Sequence, residues 1–146
     1  MALPYIYPRA MMSLMNGEIN VLTHTLKATL HTASYTPDLD AHRYQSSLAG
    51  ELATGSGYTA GGLTLTGKTL NYDASTDTAW LDCDDLIWAE PTTLSARYCV
   101  ISDTNSGAAA TNPLLALIDF EAVKSSDNSV FKIGIAATGL VRLSAN

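Results

Sequence analysis

From Val21 to Leu143 the chain is cut into short stretches in which apolar side chains alternate with Thr, Ser or Asp, each stretch ending at Gly, Pro, Ser or Asp. A period of two puts every second side chain on one face of a strand, and no helical period of about 3.6 is sustained. A chain so patterned folds into sheets. The 17 Thr and 13 Ser, with a charged fraction of only 15%, favour strands over charged helices and exclude a coiled coil or disordered tail. At 146 residues, one domain can bury roughly 68–70% of its unfolded surface, so neither metal nor disulfide is required as a staple. The expected fold is all-β: a single-domain β-sandwich or jelly-roll-like fold of about 7–9 strands. Residues 1–17 form an N-terminal arm and short helix, and residues 18–146 form the sandwich domain.

The pattern also predicts where each element lies. Two prolines and two tyrosines in residues 1–8 predict an extended arm. A helix of about two turns follows, with Pro8 near its start, Met11, Leu14 and Met15 on one side, and Asn16-Gly17 as the stop. Val21 to Thr32 reads as a half-buried strand with Leu22, Leu26, Ala28 and Leu30 inward. Residues 33–49 read as a long surface connection. A glycine-rich turn over Gly55–Gly62 leads into a strand that Gly67 interrupts as a bulge. Residues 79–88 read as one strand, Pro91 as a turn and Leu94–Ile101 as a central strand. Leu114–Phe120 reads as a buried strand, and Val130–Ile135 and Leu140–Leu143 as strands around an Ala-Ala-Thr-Gly turn. No repeat of about 20–50 residues is evident.

Charge and motif spacing exclude several chemistries. Eight Lys plus Arg against 14 Asp plus Glu give a net charge of −6, the wrong sign for binding a phosphate backbone. The start lacks a secretory signal, and no run approaches about 18 apolar residues, so no membrane partner is expected. Gly55-x-Gly57-x-x-Ala60 fits a dinucleotide template only loosely, because a strand rather than a helix follows. Asp82, Asp84 and Asp85 lack the Gly and Glu of a calcium loop and read as a solvated strand edge. His24 reads as a hydrogen-bonded core or edge histidine. His24 and His31 differ in strand parity, and His42 with Asp38 and Asp40 reads as a solvated surface, so no metal site is expected. Cys83 and Cys99 read as buried, reduced thiols, consistent with folding inside a cell. No nucleophile motif is present, and neither catalytic residues nor a cofactor are expected. Of Trp80 and Trp88, one is expected in the core and the other partly at an interface.

The order of motifs resembles a known family. Leu14-Met-Asn-Gly-Glu-Ile19, Thr25-Leu-Lys-Ala-Thr-Leu30, Ser34-Tyr-Thr-Pro-Asp38 and Gly57-Tyr-Thr-Ala-Gly-Gly62 come first. Leu81-Asp-Cys-Asp-Asp-Leu-Ile-Trp88, Ala96-Arg-Tyr-Cys-Val-Ile101 and Leu115-Ala-Leu-Ile-Asp-Phe120 follow. Together they resemble the small virion structural proteins of tailed bacteriophages. The resemblance implies a non-enzymatic protein, folded in the host cytoplasm and carried on the virion. The first expectation is a capsid decoration, or cement, protein on the outside of the head. It would be a homotrimer bound to the major capsid protein. The alternative is a tail or baseplate component, receptor-binding or not. The apolar arm side chains Leu3, Pro4, Tyr5, Ile6 and Tyr7 are the expected protein interface, because tyrosines offer large contact areas and prolines reduce the ordering cost.

Overall fold

The structure, a computed structural model, describes residues 4–145. Its elements in chain order are β1 (Pro4–Ile6), α1 (Ala10–Met15), β2 (Leu26–His31), a 3-10 turn (Gln45–Ser47), β3 (Leu63–Thr64), β4 (Thr69–Asp73) and β5 (Thr78–Asp82). Then come β6 (Leu86–Thr92), β7 (Ser95–Asp103), β8 (Leu114–Ser125), β9 (Ser129–Ile133) and β10 (Val141–Ser144). Three antiparallel sheets result, with strand orders β1-β8-β7-β2-β3, β10-β5-β4 and β6-β9. The all-β expectation holds, with ten strands among the described residues instead of seven to nine.

Strands β7 and β8 form the centre. Leu114, Leu115, Ala116, Leu117 and Ile118 are buried in succession, as are Cys99, Val100 and Ile101 beside them. Successive side chains point to opposite faces, so both faces of this part of the sheet are covered. Trp88 and Phe131 of the β6-β9 pair stack edge-on with ring centroids 5.9 Å apart, and Phe131 meets Phe120 of β8 at 6.3 Å. The two-stranded sheet is thereby packed on the five-stranded one, a sandwich-like arrangement.

The extra strands arise where the expected single strands change sheets. Leu63-Thr64 pairs with β2, whereas Thr69–Asp73 pairs with β5, so Gly67 marks a crossover and not a bulge. Its φ is +63°, and a Cβ there would run into the Asp84 carboxylate. The same corner divides residues 79–88 into β5 and β6: Asp84 N–H donates to the Thr66 carbonyl at 2.9 Å, and Thr66 Oγ1 donates to Asp84 at 2.8 Å. Two chain segments thus leave the three-stranded sheet together, tied to each other.

Four further expectations are corrected. Strand β2 begins only at Leu26, because Asn20 Oδ1 accepts the amides of Leu22 and Thr23 and curls residues 20–24 into a turn. Leu22 is accordingly 46% exposed, while Thr29 and His31 on the other face are buried, so β2 is covered on both sides. Helix α1 buries Ala10 and Ser13, and Met11, Met12 and Met15 face solvent. Pro91 sits inside β6 and not at a turn. That is tolerable because β6 is an outer strand whose register with β9 shifts between Trp88 and Thr92. The connection over 33–49 is not purely superficial either, since Tyr35 is buried and its hydroxyl lies 3.0 Å from that of Tyr7.

Candidate interaction groove

The expected interface residues fall into three groups. Leu3 lies outside the described residues. Pro4, Tyr5 and Ile6 form β1, which pairs with Ile118, Leu117 and Ala116 of the same chain. Tyr7 is fully buried and its amide donates to the Leu115 carbonyl at 3.0 Å. The arm is therefore a strand of the central sheet, and Tyr7 has no surface to offer another molecule. Tyr5, at 53% exposure, is its outward aromatic.

Tyr5 borders a groove of about 860 Å³ lined by residues of β1, β8, β9 and β10 and of the turn between the last two. Its construction follows from the strand orders. β1, β9 and β10 are each the outermost strand of a different sheet. Strand β8 also runs on past Ile118, where β1 stops covering it. Between its pairs Ala96–Lys124 and Tyr98–Asp119, β7 advances two residues and β8 five, so β8 bulges by three residues beside the groove. Asp119 Oδ1 accepts the Glu121 amide at 2.7 Å and holds Glu121 at φ +64°. Apolar side chains line the floor and walls, among them Ile118, Phe120, Val130, Ile133 and Ile135.

The charge of the groove is opposite to that of the chain. Lys124, Lys132 and Arg142 line it, three of the eight cations in the sequence, and none of the 14 carboxylates does. Lys132 is steadied from outside the lining by Asp85, 2.9 Å away. The Asp85 carboxyl is held below its usual range first by the Ile135 amide, which donates to it at 2.8 Å, and then by Lys132. Asp85 thus fixes both a cation and the backbone of the groove wall.

The other candidates resolve into structural roles. Asp82 accepts the Cys83 amide, Asp84 serves Thr66 and Asp85 serves Ile135, so the three aspartates diverge. Among the described residues no cluster of His, Cys, Asp and Glu is arranged to hold a metal ion. His24 Nδ1 lies 2.7 Å from Asp103, a buried carboxylate that also accepts the amides of Asn20 and Asn105 and so ties two loops to the end of β7. His31 Nδ1 donates to the Ala49 carbonyl and its Nε2 accepts from Thr29 Oγ1, both at 2.8 Å. Burial holds its pKa below the ordinary value. His42 Nδ1 closes a row with Tyr35 and Tyr7 at 2.9 Å. The Gly55–Gly62 segment closes a turn on Tyr58, whose hydroxyl accepts from the Leu30 amide and donates to Glu51. Cys83 and Cys99 are free and buried. Burial pushes the Cys83 thiol up to about 11 and that of Cys99 higher still. Trp88 is 5% exposed, in the core, and Trp80 is half-buried.

Of the residues singled out in the sequence, Tyr5 borders the groove, and the groove itself was missed. The parity of Phe131, Ile133, Ile135 and Val141 was the available signal, with Lys132 and Arg142 on the alternate positions. Taken together, the fold and the groove define an antiparallel all-β protein with an apolar, cation-lined cleft where three sheets end. No family model, curated protein or solved structure matches this chain.

Proposed function

We propose that this chain is a non-enzymatic attachment protein of a tailed-phage virion, a decoration protein bound to the outside of the head. The observation that carries the attachment reading is the groove, where an apolar floor, three cations and the exposed Tyr5 come together at the ends of three sheets. Extended apolar clefts are suited to gripping other polypeptides. The acidic remainder of the chain fits a surface turned away from packaged DNA. The virion assignment itself rests on the order of sequence motifs that resembles small phage structural proteins.

The test is particle binding. Heads lacking the protein are mixed with the purified wild-type chain or with Tyr5→Ala, and occupancy, position and DNA-release temperature are measured. Binding that stabilises the assembled shell raises the release temperature by mass action. Label on the head, with later DNA release, supports decoration. Label confined to the tail tip, with unchanged release, replaces decoration by the tail or baseplate reading. No binding to any part of the particle overturns both.

A further inference from the structure

The three-stranded sheet carries a complementary surface at its far side. β4 is its outer strand opposite β10. Leu70 and Tyr72 share one face of β4 and are 57% and 63% exposed. Tyr72 pairs with Ala79, which pairs with Leu143, itself 46% exposed, so an apolar row crosses the sheet in the open. Tyr72 is also held in place: its hydroxyl donates to Asp77 at 2.9 Å. Asp73 at the end of the strand is kept ionised chiefly by hydrogen bonds from Ser75.

Among the described residues six strands stand at sheet edges, and five of them are blunted. β1 and β6 contain Pro4 and Pro91, β9 and β10 contain Lys132 and Arg142, and β3 is only two residues long. Proline, cations and brevity are the usual means by which an edge is kept from pairing. β4, Thr69-Leu-Asn-Tyr-Asp73, has none of them.

From this we infer that the groove is occupied by a second copy of this chain, whose β4 inserts Leu70 and Tyr72 between the groove walls and sets Asp73 and Asp77 against Lys124 and Lys132. Charge selects the occupant. The groove is lined by cations without a carboxylate, and the β4 end carries Asp73 and Asp77, with Arg142 of the same chain near Asp73. An apolar strand with an acidic end is therefore the matching ligand, and every copy presents one. The number of copies follows from the rotation between neighbours. The inference rests on the attachment reading of the groove, and self-association is measured without any particle, so the two can fail separately.

The experiment uses the full chain with two exposed-site variants, Tyr72→Lys on the strand and the double variant Val130→Asp/Lys124→Glu on the groove. Far-UV circular dichroism and denaturant midpoints establish that each folds. Sedimentation equilibrium then reads association. The wild-type chain self-associates, more weakly at high salt because the charges are exposed. Each variant weakens association by roughly 30-fold, as loss of an aromatic anchor or its pocket does. An equimolar mixture of the two variants regains a complex, because the intact β4 of one meets the intact groove of the other. A wild-type chain that stays monomeric at its highest soluble concentration overturns the inference. So does association unchanged in either variant, a mixture that remains monomeric, or a small molecule retained in the groove of a monomer and seen as added mass in native mass spectrometry. A monomer that still binds heads would discard this inference and leave the attachment reading standing.

Discussion

Replacing Tyr7 by alanine separates a structural arm from a detachable one. Tyr7 follows β1, is fully buried and packs in the main core, with its hydroxyl 3.0 Å from that of Tyr35. Its neighbour two positions back, Tyr5, is 53% exposed. Truncating a buried aromatic to alanine costs about 3–5 kcal/mol, from lost transfer energy and the cavity left behind. Domains of this kind have roughly 5–15 kcal/mol in all, so Tyr7→Ala removes roughly a third to a half of the stability at the middle of that range. The melting temperature should fall by about 6–20 °C, at about 2–4 °C for each kcal/mol in a chain of this size. Tyr7→Phe divides the effect, keeping the ring and losing one buried hydrogen bond for about 1 kcal/mol. The Tyr35 hydroxyl retains His42 as a partner at 2.9 Å, which keeps that cost small. Tyr5→Ala should cost about 0.5 kcal/mol or less, as surface changes do.

The assay is equilibrium urea unfolding followed by circular dichroism and tryptophan fluorescence, with m-values compared so that midpoints report stability. If Tyr7→Ala lies within about 1 kcal/mol of the wild-type chain, or Tyr5→Ala costs as much as Tyr7→Ala, the arm does not belong to the core. Deleting residues 2–8 would accordingly unfold the chain and could not test particle binding cleanly.

Three further outcomes are expected. His31 is neutral in the fold, and burial holds its pKa below the ordinary imidazole value of about 6.5. The unfolded chain therefore takes up the proton first, and stability falls as pH drops below about 6.5. His31→Gln should flatten the decline of melting temperature between about pH 6.5 and 5, and equal slopes in the two proteins would refute the assignment. Glu121, at φ +64°, sits where a Cβ is strained, so Glu121→Gly should leave stability equal or raise it by up to about 1 kcal/mol. Glu121→Val should lower it by about 1 kcal/mol or more, and the reverse order in thermal melts would show that the bulge is not strained there. The native chain should resist alkylation because both thiols are buried, with burial raising Cys83 to about 11 and Cys99 higher. Denatured under non-reducing conditions it should gain two groups by mass, and none would mean a disulfide.

What could be read from sequence was whatever depends on near neighbours. Leu114–Ile118 is five apolar residues in a row, which is what a strand covered on both faces requires, and β7 is legible for the same reason. Asn16-Gly17 does end the helix, with Gly17 at φ +82°. Period alone misled where a side chain competes with the ladder. Val21–Thr25 alternates well, yet Asn20 takes two of its amides and makes a turn. The helix face was also misjudged, because α1 is only six residues long and packs through Ala10 and Ser13, small residues that a search for large apolar side chains passes over.

The groove was illegible because it depends on which strands pair. The segments around Phe131 and Val141 share parity and flank a Gly-containing turn, so local logic makes them a hairpin. In the fold β9 pairs with β6 and β10 with β5. The split follows from the corner at Gly67 and Asp84, far earlier in the chain, which sends β5 and β6 into separate sheets and takes their partners with them. The same corner opens the space between β9 and β10.

The division into three small sheets also sets the electrostatic logic of any association. An unprotected edge such as β4 invites pairing with an identical edge, which leads toward aggregation. Here two β4 strands paired in parallel and in register would also bring together their carboxylates at Asp73 and Asp77, and like charges disfavour that contact. The cation-lined groove offers the same strand an opposite charge and an apolar cavity. One set of acidic residues thus opposes parallel, in-register stacking of this edge and favours docking into the groove, the combination of attraction and repulsion by which a surface selects a partner. Neutralising it with Asp73→Asn and Asp77→Asn should weaken specific association and raise aggregation together. Static light scattering beside sedimentation equilibrium separates the two effects, and a double variant that associates as tightly as the wild-type chain without aggregating would show that these carboxylates do neither.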